Sequence, residues 1–532
     1  MSKPEFDAVI IGSGFGGAVS ACRLAQAGQK VLVLERGRRW TPENFPREPG
    51  DAWLWNQDHP ELMSGWADLR TFSDMWVAAG AGVGGGSLIY ASVSVEAKPE
   101  VFEQGWPAGL NYEVLKPYYE RVAGILDVQL LPDNQLNPRY HLMKEAAEAC
   151  GWGERFHKVP LAVKFNQNYD ASAPDPRADH HSVWTINPHG RQQGTCVHCG
   201  NCDIGCQVHA KNTLDLNYLA EAENHGAEIR PLHLVNALAP LGGDGQSGWK
   251  ISFDRIAEGT RIPGSVTAQR VIIAAGSIGS TELLLKSRDQ FKTLPRLSAR
   301  LGHGWAFNGD FVTPTFYKGR KISPSHGPTI SSAIDLLDRS VDNQALFIED
   351  GGMPNLAGEF IRRRVQQPGW GKLRKFWKEF GQAIDADDPL EGMMPWFGQA
   401  VDAADGQLYL GRPWYAPWRR TLKMDWRYQK SEAVVEAMVK VHKQLSTATG
   451  GQAFIPPTWT YLRNLITPHP LGGCNMGDTV ADGVVNQHGE VFGYQHLYVM
   501  DGATLPRAIG LNPSRTIAAL AERGMEHLLQ RV

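Results

Sequence analysis

The stretch DAVIIGSGFGGAVSACRLAQAGQKVLVLERG, residues 7–37, decides the fold. An apolar run leads through a glycine turn into a helix-period segment, and then into a second apolar run that ends at Glu35. Two buried-strand runs separated by such a helix make a βαβ unit with parallel strands. The glycines keep the G-x-G-x-x-G spacing. Gly12 makes the tight turn, Gly14 lets the backbone approach a pyrophosphate, and Gly17 lets the helix pack close to the strand. Glu35, at the end of the second strand, is placed to accept hydrogen bonds from the ribose hydroxyls of an adenosine. The stretch therefore predicts a Rossmann-type, dinucleotide-binding α/β domain.

Two later segments return to the same sheet. QRVIIAAGSIGSTELLLKSR (269–288) is a buried-strand run, a small-residue turn and a helix, and HLYVMDGATLP (496–506) is a strand ending in Asp501 and Gly502. The nucleotide domain is thus expected to be discontinuous, made of residues 1–95, 205–310 and 466–532. Residues 96–204 and 311–465, with mixed short strand and helix patterns, are expected to form an α+β substrate-binding cap. That cap includes a cysteine run at 196–206. No internal repeat, coiled-coil heptad or low-complexity tract interrupts this plan.

Composition narrows the function. A chain of 532 residues with 42% hydrophobic and 20% charged residues is a globular protein too long for one ordinary core. A formal net charge of -3 gives no basic field to hold nucleic acid, so a small-molecule partner is expected. MSKPEFDAVIIGSG passes from a short polar lead into a strand, without the apolar core of a secretory signal or the Arg/Ser-rich helix of a transit peptide. No window approaches the roughly eighteen apolar residues of a membrane span. A cytoplasmic location is expected.

Six ordered motifs carry a family resemblance: GSGFGG, AAGAGVGGGSLIYAS (78–92), KNTLDLNYLAEAE (211–223), VIIAAGSIGSTELLLKSRD (271–289), TPHPLGGCNMG (467–477) and LYVMDGATLPRAIGLNPSRTIAALAER (497–523). Together they resemble the glucose-methanol-choline (GMC) oxidoreductases, and within them the cholesterol oxidase branch. The match runs from the first strand to the last helix and is weak across the central block. It implies bound FAD, two domains, and oxidation of an alcohol by hydride transfer to the flavin. The flavin contacts it implies fall on Gly12, Gly14, Gly17, Glu35, Gly80, Gly84, Gly85, Ser87, Val235, Ala275, Gly276, Asp501, Gly502 and Asn512. A loop as glycine-dense as 78–87 can bring successive backbone N–H groups against a phosphate or a flavin carbonyl edge. Tyr90 stands where relatives often have Asn, and the loop has no histidine for a covalent flavin link, so dissociable FAD is expected.

His469 and Asn512 match the family's paired active-site His and Asn. A histidine between Pro468 and Pro470 sits on a stiff loop and is suited to take a hydroxyl proton. Asn512 can donate to the substrate oxygen just ahead of a helix N-terminus. LFIEDGGMPNL (346–356) resembles the segment that carries the cholesterol oxidases' active-site glutamate, which puts Glu349 in that role, with Asp350 as the adjacent competitor. There it moves a proton during double-bond isomerisation.

CVHCGNCDIGC (196–206) holds four of the seven cysteines as C-x2-C-x2-C-x3-C. Cys196, Cys199 and Cys202 repeat the first part of the bacterial ferredoxin run, and Cys206 either closes the same cluster or stands apart and leaves a three-iron one. Zinc, which usually takes two separated C-x2-C pairs, and a metal-free thiol loop are the rivals. Cholesterol oxidases lack this run, whereas a dehydrogenase must export electrons singly, so an iron-sulfur cluster tilts the expectation. The chain reads as an FAD-dependent dehydrogenase of a secondary alcohol on a bulky apolar ring compound, with a protein or quinone acceptor. A peroxide-producing oxidase using oxygen is the alternative, and an electron-relaying flavoprotein the remoter one. PGWGKLRKFWKEFG (368–381) forms a basic amphipathic helix that either packs its aromatic stripe on the core or touches an anionic membrane.

Overall fold

Strands covered on both faces are apolar throughout, and Ala8–Ile11 and Val31–Leu34 are buried in this way. In the computed structural model, which describes residues 3–366, 371–384, 388, 390–413 and 418–531, they lie at the centre of a seven-stranded sheet. Phe6–Ile11 pairs in parallel with Val31–Leu34 on one side and with the end of the long strand Thr260–Ile273 on the other. Glu228–Arg230 extends the sheet beyond Val31–Leu34. Leu497–Val499 lies parallel to Thr260–Ile273, so both returning segments join the sheet and the nucleotide-binding fold is discontinuous. Antiparallel strands His233–Pro240 and Trp249–Ala257 complete it.

Helix Phe15–Gln26, which opens at the glycine turn, packs against helices Tyr218–Asn224 and Ser514–Leu529. Arg23 pairs there with the fully buried Glu522 at 2.6 Å, and the Tyr218 hydroxyl donates to the same carboxylate at 2.8 Å. A buried carboxylate is tolerated only with such partners.

The second sheet has six antiparallel strands in the order Gln452–Ala453, Phe311–Phe316, Met393–Ala400, Gln344–Asp350, Ser332–Val341, Phe156–Lys158. Helices Pro138–Ala149 and Glu432–Ala448 pack on one side of it and on each other. This is the α+β part of the molecule. A four-stranded sheet joins Leu54–Trp55, Ala67–Thr71 and Met75–Gly80 to Leu465–Thr467, which brings the far ends of the chain together two residues before His469.

Within the helix Gly371–Ala383, Phe380 is buried against Phe316 and Phe454, and Trp377 packs on the same cluster. Its apolar stripe therefore covers core at those two positions. Residues 367–370 and the side chains of Lys372, Leu373, Lys375 and Phe376 lie outside the described residues. Among the described residues no helix is long and apolar enough to cross a membrane.

Candidate active site

One cavity of about 680 Å³ runs from the glycine turn of the first sheet to the face of the second. That volume is in the range of cofactor and ligand sites. Its nucleotide end is shaped by backbone. Gly12 has φ +96°, and a Cβ there would lie 2.4 Å from the Ala274 carbonyl oxygen. Gly14 lines the cavity with nothing within 4 Å of a Cβ position, so its space is open to a ligand. Gly85 of the glycine-dense loop comes so close to Gly14 that a Cβ would sit 2.7 Å from its Cα. Glu35 also lines the cavity, and its two carboxylate oxygens accept from Ser13 and from the Gly37 N–H. Ser13 is a site residue that the glycine spacing conceals.

Asp501 closes the cavity from the last strand. It accepts from the Gly276 N–H at 2.9 Å and the Ala503 N–H at 2.8 Å, and burial pushes its carboxyl up to about 6. Gly80, Val235, Ala275, Gly276 and Gly502 line the same space. Gly17, Gly84 and Ser87 are not among its lining residues. Gly17 packs on the Gly12 carbonyl, 2.1 Å from where its Cβ would be, and Ser87 is fully buried, donating to the Gly84 carbonyl and accepting from the Leu214 N–H. Those three shape the wall from behind. A backbone-lined cradle with Glu35 at one end and open space over Gly14 fits FAD.

The other end of the cavity carries His469 and Asn512. Thr467, at the end of its strand, places His469: its hydroxyl accepts from the His469 N–H at 2.9 Å and donates to Asp310 at 2.5 Å. Asp310, 1% exposed, lies 2.8 Å from Nδ1 of His469. A carboxylate on Nδ1 fixes the tautomer with Nδ1–H donated and Nε2 left as the acceptor. No local motif in the sequence around Asp310 signals this role.

Glu349 and Asp350 are strand neighbours and point to opposite faces. Asp350 turns to Arg139 at 3.2 Å and to the backbone N–H groups of Ser331 and Ser332, which occupies it structurally. Glu349 turns the other way. Its Oε2 accepts from Gln399 at 3.1 Å and from Asn512 at 3.5 Å, while its Oε1 and the Asn512 Oδ1 have no partner. Burial pushes the Glu349 carboxyl well above its ordinary range. Glu349 is not among the cavity-lining residues; it stands behind Asn512. Around this pair the wall is apolar, from Val312, Ile330, Met353, Pro395 and Phe397.

All four cysteines of the run line one second, small cavity of about 20 Å³. All are free thiols. The His198 N–H donates to the Cys196 sulfur, and backbone N–H groups of Asn201 and Thr329 favour charged sulfur at Cys199 and Cys202. Burial acts against them, pushing Cys199 up to about 12 and Cys196 well above its usual value. Lys211, 1% exposed, donates to the carbonyls of Leu88, Tyr90 and Cys202. It thereby ties the glycine-dense loop to the cysteine loop, and the Tyr90 hydroxyl donates to the Asn212 carbonyl beside it. Asp203, next to Cys202, lines the large cavity, so one turn of chain faces both spaces. Among the described residues no three His, Cys, Asp or Glu side chains are gathered as ligands of one metal ion. The four thiols line one shared space without being drawn to a single point.

A family model described as GMC oxidoreductase matches residues 6–289, and a second with the same description matches residues 403–521. A cholesterol oxidase of Mycobacterium tuberculosis is 31% identical over 98% of this chain and 90% of its own. A cholesterol oxidase of Acinetobacter baumannii is 29% identical over 98% and 94%. Among solved structures, pyridoxine 4-oxidase from Mesorbium loti matches with a TM-score of 0.63 at 16% identity, over 98% of this chain and 99% of that one, which is a likeness of fold.

Proposed function

The chain belongs to the GMC oxidoreductase family, FAD-dependent enzymes acting on CH–OH groups, and on that premise we propose that it oxidises a secondary alcohol of a bulky, mostly apolar ring compound, sterol- or terpenoid-like. One observation carries the reading. A single cavity joins the nucleotide cradle at Gly12 and Gly14 to His469 and Asn512, and its wall at that end is apolar. FAD bound there would be held by Gly12, Gly14, Gly85, Glu35, Asp501 and Gly502 and would accept the hydride.

The protein's own residues handle the proton. Asp310 holds Nδ1–H, so Nε2 of His469 is the free base for the substrate hydroxyl proton. Asn512 donates one amide N–H to Glu349 and has its second for the substrate oxygen. The apolar wall excludes water and strengthens both contacts. Glu349, hydrogen-bonded to Asn512, would be the proton carrier if the product's double bond migrates, taking a proton from one carbon as the carboxylate and returning it to another as the acid.

Cys196, Cys199, Cys202 and Cys206 would hold an iron-sulfur cluster, whose chemistry there is one-electron exchange. Their convergence on one cavity favours a dehydrogenase with a protein or quinone acceptor. The relatives' printed activity, cholesterol oxidase, favours a second reading in which oxygen takes the electrons and peroxide forms.

A panel of ring and open-chain alcohols, added anaerobically, tests the substrate class through flavin bleaching. Ring alcohols should bleach it fastest; bleaching by none of the panel would sink the alcohol reading. Peroxide per turnover under air then decides the acceptor: a stoichiometric yield establishes the oxidase.

A further inference from the structure

We propose that Asp203 forms a second polar subsite in the substrate half of the cavity, and that the ring alcohol oxidised here carries another hydroxyl group, remote from the reacting one, that donates to it. This rests on reading the chain as a ring-alcohol oxidoreductase. It narrows the substrate class within that reading.

Asp203 sits in the middle of the short turn Cys202–Ile204 and lines the large cavity. The backbone on both sides of it is tied down. Lys211 donates to the Cys202 carbonyl at 2.7 Å, and Arg47 donates to the carbonyls of Ile204 at 3.1 Å and Gly205 at 2.9 Å. The carboxyl group itself is left over. Of the two cations near it, Arg139 is taken by Asp350 and Lys211 by three backbone carbonyls, and among the described residues no ion pair holds Asp203. Thr329 stands beside it, 5% exposed and lining the same cavity, and its Oγ1 closes no hydrogen bond. A fixed turn that presents an unmatched carboxyl group to a cavity is costly unless a ligand satisfies it.

Its place suits the far end of a ring compound. Glu349, which meets Asn512, is the sheet partner of Ala333, and Thr329 lies four residues before Ala333 in the chain. Four residues span at most about 14 Å, so the subsite and the reacting end are within reach of one fused-ring molecule. Apolar Ile330, Met353 and Phe397 line the cavity on the same side. A neutral donor fits better than a cation. Lys211 is a buried ammonium with no ion pair among the described residues, so its charge and that of Asp203 offset each other, and a bound ammonium would be one cation in excess. A hydroxyl brings no charge, and carboxylate and carboxylic acid alike keep an oxygen that accepts from it.

The test uses the FAD-loaded, full-length enzyme and follows anaerobic flavin reduction. The probes are a steroid with one hydroxyl, on its first ring, the matching diol with a second hydroxyl on its last ring, and the matching amino alcohol. The diol should half-saturate reduction at a concentration about tenfold or more below that of the mono-alcohol, at a similar limiting rate. Asp203→Leu should remove that advantage. Asp203→Asn, which keeps the shape and one accepting oxygen, should retain only part of it, and carries the test if the leucine variant fails to fold. Equal half-saturation by mono-alcohol and diol in the parent, or a diol advantage undiminished in either variant, would overturn the inference while leaving the alcohol reading intact. Half-saturation by the amino alcohol below that of the diol would overturn the choice of a hydroxyl. Failure of all three probes to bleach the flavin would sink the ring-alcohol reading, and this inference with it.

Discussion

The two cavities are built in opposite ways. The large one is shaped where side chains are missing: Gly12, Gly14, Gly80 and Gly85 bring backbone to its surface, and a Cβ at three of them would collide with backbone. The small one is shaped by side chains that are present, four cysteines on one loop. The difference teaches where each is vulnerable. A space made by backbone fails when atoms are added, and a space made by side chains changes when atoms are taken away.

The strongest way to break the comparison is to add one methyl group at two glycines of the same turn. Gly17→Ala would put a Cβ 2.1 Å from the Gly12 carbonyl oxygen and should cost more than about 4 kcal/mol, leaving little soluble flavoprotein. Gly14→Ala meets nothing within 4 Å at φ -68°, so its fold should survive while FAD affinity falls by about tenfold or more. Thermal melts of the apoprotein and a flavin titration separate the two. If both variants behaved alike, the cradle would not be a ligand surface.

Next in size is His469→Ala, expected to keep FAD and to slow anaerobic flavin reduction by about a hundredfold. Stopped-flow bleaching at near-normal rate would take His469 out of proton transfer. Glu349→Gln should be milder, changing flavin reduction by less than about threefold because Glu349 stands behind Asn512. Any double-bond migration in the product should stop, as product analysis would reveal. Should the variant fail to reduce flavin instead, Glu349 would be the principal base.

The smallest effect lies outside both cavities. Asp402 accepts from the Phe307 and Ala404 N–H groups, but burial outweighs them and pushes its carboxyl up to about 7. A raised folded pKa means that the folded chain keeps a proton the unfolded chain releases. The associated stability is therefore full below about pH 4 and is lost as pH rises through about 7. Melting curves between pH 4 and 8 should show a shallower decline in Asp402→Asn than in the parent. An equal decline in both would assign the pH dependence to other groups.

The sheet was legible because its signals are local: Gly12, Gly14 and Gly17 lie within one turn and a helix, and Ala8–Ile11 and Val31–Leu34 are continuous apolar runs. His469, Asn512 and the cysteines were legible through their motifs. Asp310 was not, because it meets His469 across 159 residues of chain and nothing about NGDFVT marks it. Ser13 was hidden inside the glycine motif. That Glu349 faces Asn512 and Asp350 faces Arg139 follows from strand alternation and was not visible in the sequence. Long-range pairing of charge is what a single sequence conceals.

Lys211 has a thermodynamic consequence. One ammonium group is bonded to two carbonyls of the loop beside the flavin cavity and to one carbonyl of the cysteine loop. Neither loop can loosen without releasing a buried cation from its partners, so their order is shared. Whatever stiffens one loop makes occupation of the other less costly in conformational entropy. Reciprocity then fixes the two factors as equal: by whatever ratio an ordered cysteine loop raises flavin affinity, bound flavin favours the ordered cysteine loop by the same ratio.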